Sequence, residues 1–158
     1  FEPAEPGVMR RPPRRPSEPL ITRVLAARIL YVSLLMIAVT FAVFEWELAR
    51  GSRIEVARTA AVNMLVFGEL VYLFNVRHFT AHAFTRDIFT GNPVALWVSV
   101  LLVGFQLLFT YAPPMQQVFH TAPLDGASWL LILALGLGKF LAVEAEKAVL
   151  RRLQVRSM

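Results

Sequence analysis

The chain has 158 residues, of which 56% are hydrophobic and 17% charged, with a mean hydropathy of +0.56 and a formal net charge of +5. A soluble domain carries charge on roughly a quarter of its residues, so this composition points to a membrane instead. There is no cysteine, which excludes disulfides, and no basic stripe interleaved with aromatics, so no nucleic-acid partner is expected.

The apolar residues fall into four blocks, about 27–46, 57–76, 94–112 and 127–145. Each is near the ~20 residues that cross a bilayer as a helix. The expected fold is an all-α membrane protein whose four transmembrane helices form a bundle. Residues 1–26 then make a cytoplasmic linker, 27–148 the transmembrane domain, and 149–158 a basic cytoplasmic tail.

Residues 1–20 hold six of the ten prolines and Arg10, Arg11, Arg14 and Arg15. Proline fixes φ and removes a donor, so this stretch reads as an extended linker. It has neither an initiating methionine nor a signal-peptide core, and reads as a piece cut from a longer protein. The first helix, "ARILYVSLLMIAVTFAVFEWELARG", ends in Trp46 among Glu45, Glu47 and Arg50, an interfacial pattern. The second begins with the small residues Ala57, Thr59, Ala60 and Ala61, which favour close packing on a neighbour.

A middle loop with Arg77, Arg86, His78 and His82 leads to Gly91-Asn92-Pro93, where proline suits a helix's first turn. The third helix runs uncharged to Pro113-Pro114. The loop after it, "APPMQQVFHTAPLDGAS", has no lysine or arginine, whereas Lys147, Arg151, Arg152 and Arg156 follow the last helix. By the positive-inside rule both termini are cytoplasmic, in a multi-pass protein expected in the cell membrane.

Four of the polar side chains inside the apolar blocks stand out as candidates. Glu69, in "MLVFGELVYLFN", is the sharpest, because an ionised carboxylate at bilayer depth costs about 2.5–3.5 kcal/mol or more and usually marks an ion or proton path. The bland alternative is a protonated or structurally hydrogen-bonded acid. Its helical neighbours Val62, Leu65, Val66, Tyr72, Leu73 and Val76 include no second carboxylate, so a hard cation would need ligands from elsewhere. Lys139 is expected to snorkel toward Glu144, with pairing to Glu69 as the alternative, while Gly136 and Gly138 admit a close helix. Gln106 and Asn63 are read as interhelical hydrogen-bonding groups. His78, His82 and His120 are read as solvated, and no catalytic constellation is found.

At this point the residues carry a resemblance. "ARTAAVNMLVFGELVYLFNVR" resembles the eighth transmembrane helix of cation-transporting P-type ATPases of the calcium-pump-like type. The opening "FEPAEPGVMRRPPRRPSEPL" is similar to the linker after the family's sixth helix, and residues 91–135 to its ninth helix, outer loop and tenth helix. The resemblance implies helices seven to ten of a ten-helix membrane domain. It implies Glu69 as a ligand to a transported cation, with Ca²⁺ favoured and the other helices as scaffold. It also implies that ATP and Mg²⁺ bind cytoplasmic domains N-terminal to this sequence, so that this stretch alone would be inactive. The partners would be lipid and the remaining helices and domains of the same pump. The rival readings are a stand-alone four-helix membrane protein with a structural or accessory role, and a small channel or secondary transporter. The latter predicts repeat symmetry or a second buried acid, and neither is seen.

Overall fold

An apolar run without proline or glycine lets the first helix form without a break. In the computed structural model, which describes residues 23–76 and 93–156, α1 spans Arg23–Ala49. Gly51, with φ at +81°, supplies the left-handed turn that ends it, and α2 follows at once as Ile54–Val76. After the middle segment come α3, Pro93–Tyr111, and the short α4, Pro113–Phe119. The last helix, α5, spans Gly126–Arg156. No strand occurs among the described residues.

Four of these helices are long and apolar enough to cross a membrane: Arg23–Ala49, Ile54–Asn75, Pro93–Tyr111 and Gly126–Val149. They are the four expected spans, and the all-α architecture stands. Two details differ from the sequence reading. The stretch after Pro113 reads as loop in the sequence, yet it forms α4, because proline at a helix's first position gives up only an amide that has no partner there. The basic tail continues α5 through Arg156, since Leu, Arg and Gln are good helix formers and no breaker intervenes.

The core lies between α1, α2 and α5. Val39 and Val43 of α1, Ala60 and Met64 of α2 and Ile132 of α5 pack together with Leu124. Of the small residues expected at a contact, Ala57, Thr59 and Ala60 expose 1% or less of their surface, whereas Ala61 is half-buried and lines a cleft instead. Gly68 continues that stripe one turn past Met64. A Cβ there would sit 2.8 Å from Met36 Sδ and 3.3 Å from Lys139 Nζ, so glycine is what lets α1 and α5 meet α2. Gly136 serves α5 likewise against the Phe67 ring, whereas Gly138 has nothing within 4 Å and admits no neighbour. Most of α3 lies outside this core, with Trp97 and Val100 exposed at 74% and 64%.

Candidate cation-binding site

The stripe Ala57–Ala60–Met64–Gly68 turns one face of α2 into the core, so residues offset around the helix must face away. Leu65, Glu69 and Leu73 occupy that opposite face. Glu69 lines a groove of about 570 Å³ between α1 and α2, together with Ser33, Met36, Thr40 and Tyr72. Its carboxylate takes no hydrogen bond from the described residues. The hydroxyl of Thr40, in the same groove, is buried and unpartnered among them. No cluster of three or more His, Cys, Asp or Glu side chains occurs among the described residues, so Glu69 stands as a single acidic group.

Lys139 lies behind this groove and corrects the sequence reading. It does not snorkel toward Glu144, whose carboxylate is held by Lys147 Nζ at 2.8 Å. Lys139 is 2% exposed, and its ammonium donates to the Gly68 carbonyl at 2.8 Å. Met36 Sδ lies 3.4 Å from Nζ and the Tyr72 ring centroid 5.5 Å. Gly68 has no side chain, so its carbonyl is open to a reaching lysine, which makes an inward hydrogen bond better than a climb along the helix. Glu69, the next residue, interacts electrostatically with that ammonium without a direct ion pair.

Asn63 performs the expected interhelical role. Its Nδ2 donates to Thr59 O and to Thr110 Oγ1 of α3, both at 2.9 Å. Gln106 does not. Its buried Nε2 has no partner among the described residues, and it lines a cleft of about 260 Å³ between α2, α3 and α5. Thr110, one turn further on, sits opposite Asn63 instead. His120 ends α4 at φ 53° and lines a separate cleft with Arg58 and Thr121. His78 and His82 lie outside the described residues.

The ends of the bundle hold polar clusters that sequence reasoning missed. At one end Glu47, expected at a solvated interface, is fully buried. It accepts hydrogen bonds from Ser52 Oγ at 2.6 Å and from Ser128 Oγ. Asp125 caps α5, accepting the Ser128 amide at 2.8 Å, and is bridged by Arg50, which also stacks 4.7 Å over the Trp46 ring. The Arg50 hydrogen bond holds the Asp125 carboxyl well below its usual range, and Asp125 in turn raises Arg50. At the other end Arg28 pairs with Glu146 at 3.6 Å, and Lys147 Nζ donates to Asn75 O at 2.5 Å. Only Asp125, an N-cap residue type just before the last apolar run, hints at either cluster in the sequence.

Comparison with known proteins agrees with this architecture. The family described as "Cation transporting ATPase, C-terminus" matches residues 1–149. The chain is 43% identical over 134 residues to the "Probable cation-transporting ATPase F" of Mycobacterium tuberculosis, covering 85% of this chain and 15% of that protein. It is 35% identical over 138 residues to the "Cation-transporting ATPase pma1" of Synechocystis, covering 84% of this chain and 15% of that protein. It is 31% identical over 147 residues to the mouse "Calcium-transporting ATPase type 2C member 2", covering 92% of this chain and 16% of that protein. The chain therefore spans about 15% of the length of these curated relatives. With four membrane-length helices, a lone acid on an outward face and a family match over almost its whole length, this chain belongs to the C-terminal membrane domain family of cation-transporting ATPases.

Proposed function

We propose that the chain is the C-terminal transport portion of an ATP-driven cation pump in the cell membrane, and that Glu69 is one oxygen ligand of its transported ion. The observation that carries the reading is the position of Glu69. A carboxylate within a membrane-length helix faces away from the core of its own bundle, into a groove with the hydroxyl groups of Ser33, Thr40 and Tyr72. An intramembrane acid normally faces a bundle interior or a water-filled cavity. The remaining ion ligands, and the ATP- and Mg²⁺-binding domains, belong to other parts of the pump. Among cations Ca²⁺ is favoured, because several relatives are calcium-transporting ATPases and a carboxylate is a hard-cation ligand. α1, α3 and α5 act as scaffold.

The test is ATPase activity of the full-length pump against Ca²⁺, Na⁺, K⁺, Mg²⁺ and Mn²⁺, for wild type and Glu69→Gln. The expected result is activation by Ca²⁺ whose half-saturating concentration rises about tenfold or more in the variant, as when one group of a metal site is altered. Equal activation of both proteins, at equal expression, would make the carboxylate structural.

A further inference from the structure

We propose that Lys139 is a built-in counter-cation of the Glu69 site, a fixed positive charge that holds the site's affinity for its ion down. The proposal rests on the reading of Glu69 as an ion ligand and adds a residue to it from a different helix. Three observations support it. Lys139 is buried at 2% exposure within a membrane-length helix, where an ammonium needs compensation. Its one strong hydrogen bond, 2.8 Å to the Gly68 carbonyl, fixes Nζ beside the very turn of α2 that carries Glu69. The other groups around it are Met36 of α1 at 3.4 Å and the Tyr72 face at 5.5 Å, neither of which carries negative charge.

The charged and titratable groups near the ammonium are therefore Glu69 and Tyr72 from α2. α1 contributes the uncharged Met36, and α5's own Glu144 is engaged by Lys147. Glu69 supplies the compensating charge. When a transported cation takes the carboxylate from the groove side, it meets a resident positive charge on the far side of the same helical turn. Part of the Glu69 charge is already balanced by that ammonium, so the carboxylate attracts the cation less, which weakens ion binding and helps release. When the ion has left, Lys139 still balances Glu69, so the empty site does not hold a bare carboxylate. The lysine acts through Glu69 and does not touch the ion; it is a positioning residue, set by the absence of a side chain at Gly68.

The experiment measures cation-activated ATPase in the full-length pump, normalised to the phosphorylated enzyme. It uses the activating ion found for wild type, with Ca²⁺ as first probe. The proteins are wild type, Lys139→Met, Lys139→Gln, Glu69→Gln and the Glu69→Gln/Lys139→Met double variant. Both neutral replacements are expected to lower the half-activating cation concentration, by about three- to tenfold for a charge acting across a partly screened site. Lys139→Gln keeps an N–H donor for the Gly68 carbonyl, so a purely structural lysine would leave its affinity unchanged. The shift is expected to vanish in the double variant, because Lys139 works through Glu69. Unchanged or weakened cation affinity in both neutral variants, with Glu69→Gln still impaired, would overturn this proposal and leave the Glu69 ligand standing. Failure of both neutral variants to assemble would overturn it too, in favour of a structural lysine. If Glu69→Gln itself has no effect, the ligand reading falls first, and this proposal with it.

Discussion

The Arg50–Asp125 bridge closes one end of the bundle, and its chemistry makes a pH prediction. Arg50 donates to the Asp125 carboxylate and lowers its pKa, while the Ser128 amide and hydroxyl add to the effect. A carboxyl depressed in the folded state binds protons less readily there than in the unfolded chain. Its stabilisation is complete above the ordinary carboxylate value of about 4 and is lost as pH falls below it. Arg50 stays charged throughout, so the change belongs to Asp125. Thermal stability in detergent is therefore expected to be lower for Asp125→Asn than for wild type at pH 7, with the gap narrowing as pH is lowered from about 5 toward 3. A gap that stays constant down to pH 3 would mean that the bridge contributes nothing and that the cap alone matters. Little of this was legible beforehand. Asp125 lies 75 residues from Arg50 and Ser128 lies 81 from Glu47, while Glu47 and Arg50 themselves read only as an interfacial pattern around Trp46.

At the scale of elements, the spans were readable because apolar length is a one-dimensional signal, and the packing face of α2 because small residues recur along it. The partner of each polar side chain was not readable. Thr110 illustrates the reason: its hydroxyl donates to the Gln106 carbonyl at 2.8 Å within its own helix, so it sits in an apolar run without signalling. Gln106, the more conspicuous group, reads as an interhelical hydrogen-bonding side chain, yet its Nε2 finds no partner among the described residues. Packing itself yields a sharper prediction at Gly136, where an added Cβ would collide with the Phe67 ring. Gly136→Leu is expected to force α5 from α2 and cost about 1–3 kcal/mol, the range for overpacking a filled contact. Gly138→Leu, with open space at the same atom, is expected to be nearly neutral. Expression and detergent stability of the two variants, compared side by side, check this. Equal loss in both would mean a general cost of side chain on this helix rather than a collision.

For the whole molecule, the sequence predicts which way the bundle lies across the membrane. The α3–α5 connection, residues 112–125, has no lysine or arginine, whereas Arg10, Arg11, Arg14 and Arg15 precede α1 and Lys147, Arg151, Arg152 and Arg156 close α5. The structure joins the ends in a consistent way: Arg28 meets Glu146 at one end, and Arg50 meets Asp125 at the other. Positive charge prefers the cytoplasm, so both termini are predicted on that side. The absence of native cysteine makes this directly testable in a cysteine-free background of the full protein. Ser17→Cys and Ser157→Cys are expected to resist a membrane-impermeant maleimide in intact cells and to react once the membrane is opened. Gln117→Cys, exposed on α4, is expected to react in intact cells. The reverse pattern would invert the orientation. A mixed one, with Ser17 and Ser157 on opposite sides, would break the even number of spans and, with it, the placement of Glu69 and Lys139 on neighbouring parallel helices at a common depth.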